Sequence, residues 1–170
     1  MKPDRKPLRM RFESLPPRRT AQQKGVFVRH GRAMFYTKKE VRREEETLAG
    51  LLLSRLPPGW EPFTGPVAVE IHLCYPFRKS ERRGVVKAGA EIPNGCRPDL
   101  DNLCKGLIDS MVTARLIADD GGIARLAASK AWGPRAYWEV CVSPLDTGIP
   151  VAPPPKEPVA DGGPRQQTLF

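Results

Sequence analysis

The chain has 170 residues, with 28 Lys and Arg against 19 Asp and Glu and a formal net charge of +9. That length suits one domain with its own core and excludes two of ordinary size. No apolar run approaches the ~18 residues that cross a bilayer and no secretory leader is present, so the expected location is the cytoplasm; the charge is the electrostatic footprint of a nucleic-acid binder. Four widely spaced cysteines (Cys74, Cys96, Cys104, Cys141) form no C-x-x-C pair and fit reduced, mostly buried thiols better than a zinc site or a disulfide framework.

Residues 8 to 15 alternate apolar and polar side chains, the period of a half-buried strand, and Pro16-Pro17 ends it. The stretch that follows reads as a basic loop, with Arg18, Arg19, Lys24, Arg29, His30 and Arg32 interleaved with Phe27, Phe35 and Tyr36. Thr37 stands three residues before Glu40, the spacing of a capping box. The helix it opens carries Val41, Leu48, Leu52 and Leu56 along one stripe, with Glu44, Glu45 and Glu46 expected in solvent, and Pro57-Pro58-Gly59 stops it. Val67, Val69, Ile71, Leu73 and Tyr75 then share one face of a strand, and His72 is expected to be an ordinary residue of the other face. Residues 78 to 97 read as a long polar loop. Asp101 to about Val112 has helical apolar spacing at Cys104, Leu107, Ile108 and Met111. Gly121-Gly122 precedes a strand to Trp132, and Gly133-Pro134 turns it into a hairpin partner from Tyr137 to Val142. Two helices and several strands in this order predict an α+β fold, a small mixed β-sheet with two main helices. The expected domain spans residues 1 to 142. Residues 143 to 170, rich in proline, read as an extended tether.

The chemistry concentrates between Arg97 and Asp120. Clustered carboxylates repel one another unless a cation neutralises them, and a hard divalent ion with oxygen ligands suits the task. Asp99 and Asp101 lie one residue apart and point to the same side if the chain there is extended. With Asp120 they could converge on Mg2+, with Mn2+ as the alternative ion. Lys105 could stabilise charge on a phosphate, while Asn102, Asp109 and Asp119 could support the first ligands. Plainer readings stay open: Asp99 as a helix cap, Asp101 and Lys105 as an i,i+4 ion pair, and Asp119-Asp120-Gly121-Gly122 as a turn. An EF-hand fails, because counting from Asp99 puts Leu103 and Cys104 where the loop needs Asp or Asn and then Gly.

The pattern Asp99-x-Asp101-Asn102-x-x-Lys105, followed by Asp109 and Asp119-Asp120, resembles the signature of the RusA family of Holliday-junction resolvases. The resemblance covers roughly residues 8 to 142 and implies a small α+β homodimer that cuts four-way DNA junctions with Mg2+, leaving 5′-phosphate nicks. It matches Asp99, Asp101 and Asp120 to essential carboxylates acting as catalytic metal ligands, and Lys105 to an essential lysine. Lys130 matches a family position expected to contact DNA. Arg29, Arg32, Arg82, Arg83 and Lys87 are further candidates for phosphate contacts. The loop from Arg78 to Arg97 is longer than in compact members, and the tail lies outside the pattern. Such an enzyme would be cytoplasmic and nucleoid-associated, encoded by a bacterium or phage. A non-catalytic DNA-binding adaptor and a less selective flap or fork nuclease are the competing functions.

The chain ends in Gln166-Gln167-Thr168-Leu169-Phe170, which resembles the pentapeptide that docks proteins onto the bacterial sliding clamp. Gln166 would hydrogen-bond while Leu169 and Phe170 fill an apolar groove, and the preceding prolines lower the ordering cost.

Overall fold

The computed structural model describes residues 5–19, 24–29, 32–37, 39–78 and 89–145. Its elements are β1 (Leu8–Phe12), β2 (Lys24–Arg29), β3 (Arg32–Thr37), α1 (Lys39–Ser54), β4 (Val67–Pro76), β5 (Ile92–Pro93), α2 (Leu100–Thr113), a 3-10 turn (Asp120–Gly122), β6 (Ile123–Gly133) and β7 (Tyr137–Pro144). The order β1-β7-β4-β6-β5 makes a five-stranded mixed sheet, and β2-β3 make a separate two-stranded one. This is the expected α+β class with two main helices. No helix among the described residues is long and apolar enough to cross a membrane.

β4 organises the sheet. Its alternation is as expected: Val67, Val69, Ile71, Leu73 and Tyr75 enter the core, while Glu70 and His72 look out on the other side. β6 runs parallel to β4 on one edge and β7 antiparallel on the other. Parallel neighbours need a crossover, and the chain from residue 77 to residue 122, with α2 in it, provides one. α1 and α2 cover the core face. Val41, Leu48, Ala49 and Leu52 of α1, and Leu103, Cys104, Leu107 and Met111 of α2, are buried there. Met10 and Phe12 of β1 and Trp138, Val140 and Val142 of β7 complete the core, with Phe12 stacked on Trp138 at 4.0 Å between ring centroids.

Five expectations are corrected. The basic stretch from Arg18 to Tyr36 is not all loop: Lys24–Arg29 pairs antiparallel with Arg32–Thr37, two residues separating the paired Arg29 and Arg32. β6 and β7 are consecutive but not a hairpin, because β4 lies between them. Their short link spans two strand spacings, about 9.6 Å, which an extended linker of that length can reach. Phe77 N donates to Gly133 O at 2.9 Å and Cys74 Sγ lies 3.3 Å from Arg135 O, which fixes the link over the end of β4. Glu44, Glu45 and Glu46 are not one solvated face. Glu44 accepts from the backbone N–H groups of Arg18 and Arg19 at 3.3 and 2.8 Å, Glu45 is half-buried against α2, and only Glu46 is exposed. The α1 stripe includes Ala49, and Leu56 packs on the core from beyond the helix end. At the other end, β7 continues past the expected Val142 to Pro144, and Leu145 N donates to Pro66 O at 2.8 Å.

Candidate active site

α2 is amphipathic. Burying Leu103, Cys104, Leu107 and Met111 turns Asp101, Lys105 and Asp109, spaced by four, to one outward stripe. That stripe faces β6 across a cleft of about 720 Å3. Its floor is Leu100, Cys104, Ile108, Ile123, Leu126 and Ala128, and its polar rim is Asp101, Lys105, Asp109 and Asp120. Two elements remote in sequence thus bring four of the expected residues together.

Asp99 occupies the N-cap of α2 in extended conformation (φ −69°, ψ 141°), and its side chain makes no capping hydrogen bond. It is exposed beside the cleft and is not among the residues that line it. Asp101 lies in the first helical turn, where the helix dipole favours a negative charge. Asp120 opens the 3-10 turn from the opposite wall. Asp119 caps that turn, its Oδ1 accepting from Gly121 N at 2.6 Å. A Cβ at position 121 would stand 2.8 Å from that oxygen, so glycine is what the cap allows. Lys105 Nζ lies 3.5 Å from Asp109 Oδ1, an exposed i,i+4 pair. Asn102 is half-buried on α2.

The carboxylates of Asp99, Asp101 and Asp120 have no hydrogen-bond or ion-pair partner among the described residues. Nor do three or more His, Cys, Asp or Glu side chains among those residues form a group tight enough to hold a metal ion. Among the described residues that line the cleft, Cys104 is the one soft donor. Burial, aided by the nearby Asp101 charge, pushes its thiol pKa up, so it stays neutral and is a poor ligand.

The remaining candidates are scattered. Arg29 ends β2, and Arg32 begins β3 with its side chain exposed. Arg82, Arg83, Lys87, Gln166, Leu169 and Phe170 lie outside the described residues. The ammonium of half-buried Lys130 of β6 is engaged by backbone carbonyls rather than left free for a phosphate. It donates to Cys96 O at 2.5 Å and Pro98 O at 2.6 Å, in the segment leading into Asp99. Residue type alone could not have signalled this, since the acceptors are backbone carbonyls.

On the opposite face of the sheet, His72 Nδ1 lies 2.7 Å from Ser129 Oγ, and His72 Nε2 lies 2.9 Å from Glu91 Oε2. Tyr137 OH donates to Glu91 Oε1 at 2.6 Å. Burial raises the Glu91 carboxyl, but the hydrogen bond from Tyr137 and the His72 contact outweigh it and leave the pKa below the ordinary value. Burial, then the bond to Glu91, pushes the Tyr137 hydroxyl up to about 12. His72 is therefore the strand-face residue expected.

The family model of endodeoxyribonuclease RusA matches residues 15–143. The chain belongs to the RusA endodeoxyribonuclease family. The match runs from just after β1 to the penultimate residue of β7, so it takes in both walls of the cleft. A similar curated protein is the crossover junction endodeoxyribonuclease rusA of Lactococcus phage r1t, 30% identical over 111 residues, which are 65% of this chain and 78% of the phage protein. As a member of the RusA family, the chain is a hydrolytic DNA-cutting enzyme, and its acidic cleft is the natural place to look for that hydrolysis.

Proposed function

We propose that the chain is a Mg2+-dependent, structure-selective endonuclease. It would resolve four-way DNA junctions by paired symmetric nicks, in recombination and repair, as a homodimer. One observation carries this reading: in a chain of net charge +9, three acids at one cleft have no cation or donor partner among the described residues. Leaving carboxylates unpaired where cations are plentiful is poor design for stability alone.

The donor set fits a hard divalent ion. Asp99, Asp101 and Asp120 offer carboxylate oxygens only, and Mg2+ usually takes one or two carboxylates together with water and substrate phosphate. These three residues would hold it, and it would supply charge neutralisation on the phosphate and an activated water. The protein does the rest. Lys105, in a 3.5 Å pair with Asp109 and 62% exposed at its side chain, can turn toward a phosphate and balance charge in the transition state. Asp109 holds that ammonium over the cleft until substrate takes its place. The apolar floor excludes water from one side of the reacting group.

Two equivalent cuts call for two sites related by a two-fold axis. From 123 to 130, β6 has no strand partner on its outer edge among the described residues. A second copy would bury that surface. The tail would recruit a bacterial sliding clamp through Gln166, Leu169 and Phe170. A peptide of residues 160–170 should bind a clamp, and Leu169→Ala and Phe170→Ala peptides should not.

The deciding experiment incubates the protein with labelled four-way junction, duplex and flap DNA, with Mg2+ or a chelator, beside Asp101→Asn. Junction nicks that need the ion and vanish in the variant, with binding retained, support the reading. Equal cutting of flaps would replace junction selectivity by a broader nuclease. Binding with no cutting in any metal would leave only an adaptor. Sedimentation velocity of the intact protein tests the dimer.

A further inference from the structure

We infer that Lys130 is a positioning residue that sets the path of the backbone presenting Asp99, rather than a contact to DNA. The inference deepens the proposed function and rests on Asp99 acting in that cleft.

Lys130 ties the segment 94–98 to β6 at three points. Its own carbonyl accepts from Asn94 N at 2.9 Å. Its ammonium donates to Cys96 O and Pro98 O. Within the segment, buried Asn94 accepts through Oδ1 from Cys96 N at 2.9 Å, which closes the turn. One residue past Pro98 comes Asp99, where α2 begins and Asp99 O accepts from Leu103 N at 3.2 Å.

Asp99 needs such support because its carboxylate has no partner of its own among the described residues. Its carboxylate makes no capping bond, so its direction follows from its backbone alone. That backbone leads out of a segment with little regular structure of its own, β5 being two residues long. Two of the three ammonium donors of Lys130 are already used by half-buried carbonyls, and no carboxylate pairs with it among the described residues. A phosphate contact would have to give up those bonds and leave two carbonyls without donors, a costly exchange away from water.

The two roles predict different measurements. A reacting group misplaced by about 1 Å can cost about 100-fold in rate. A lost phosphate contact instead weakens binding and makes the salt dependence of log K shallower by about 0.9. Lys130→Met in the full chain should therefore lower the single-turnover cleavage rate about 100-fold. It should leave four-way junction affinity, measured in chelator, within about 3-fold, with an unchanged salt slope. Amide exchange at Cys96 and Leu103 should quicken. Lys130→Gln, which keeps a donor for one carbonyl, should fall between, and is the variant to read if Lys130→Met does not fold. Wild-type cleavage in the folded variant, or a salt slope shallower by about 0.9, overturns the inference. Asp101→Asn runs alongside. If that variant still cuts, the function assigned to the cleft has failed; if it is inactive while Lys130→Met cuts normally, only the role of Lys130 has failed.

Discussion

The two faces of the central sheet treat their acids differently. On the outer face Glu139 meets Arg11 at 2.8 Å and Arg9 at 3.8 Å, Glu70 meets Arg9 at 3.7 Å, and Glu91 is held by His72 and Tyr137. On the helix face, at the α2–β6 cleft, Asp99, Asp101 and Asp120 are left without partners among the described residues. The same chain, with the same surplus of cations, satisfies one set and not the other. Acids with partners hold strands in register. Acids without them are held ready for something the protein alone does not contain.

The largest expected effect tests that division directly. Asp101→Asn and Asp120→Asn should each lower junction cleavage by about 100-fold to 1,000-fold while the melting temperature stays level or rises, because a repelling charge is removed. Glu139→Gln should do the reverse: a small loss of thermal stability and unchanged cleavage, since it loses two partly exposed ion pairs, to Arg11 and Arg9. Cleavage kinetics and melting curves on the three variants suffice. A Glu139→Gln protein as inactive as Asp101→Asn would dissolve the distinction between the faces.

Next in size is Lys105→Met, expected to cost about 100-fold in cleavage rate with little change in stability. The pair it breaks with Asp109 is exposed and 3.5 Å long, so it holds little of the fold together. Rate and melting temperature moving together would show Lys105 to be scaffold.

The cleft was legible in the sequence because its residues sit on one helix at a spacing of four, and helical periodicity turns spacing into a shared face. β4 was legible for the same reason at period two. Asp120 could be joined to that group only by the clustering of acids in the sequence and the match to a known pattern, since no local rule carries it across to α2. Strand order was not legible. The short Gly133-Pro134 link favours a hairpin locally, but β4 is a long apolar strand with two edges to fill, and tertiary pairing overrides the local choice. The β2–β3 hairpin hides behind its charges, although a two-residue link ending in Gly31 was a usable signal. The bracing by Lys130 joins a side chain to carbonyls 32 and 34 residues away, which no reading by residue type detects.

The outer face should reveal itself through pH. The folded-state pKa of Glu91 is lowered, so its contribution is complete above the ordinary carboxylate range and is lost as pH falls through the lowered value. The melting-temperature gap between wild type and Glu91→Gln should therefore shrink from about pH 6 to about pH 3. Tyr137→Phe, which removes the donor to Glu91, should cost about 1 kcal/mol near neutral pH with cleavage intact. A gap that widens on acidification would mean that Glu91 is not the group stabilised there.

The smallest effect lies where the two kinds of acid meet. Glu45 of α1 is half-buried, and burial first, then the charge of Asp109 on the cleft rim, raises its pKa. A raised carboxyl binds its proton more readily in the folded state, so stability falls as pH rises from the unfolded toward the folded value, and the ionised group carries its full cost at neutral pH. Glu45→Gln should gain less than about 1 kcal/mol at pH 7 and nothing well below the carboxylate range, as read from denaturant melts at the two pH values. Because Glu45 does not line the cleft, cleavage should be unchanged. Loss of cleavage at unaltered stability would extend the working site onto α1, with Glu45 setting the strength with which Asp109 restrains Lys105.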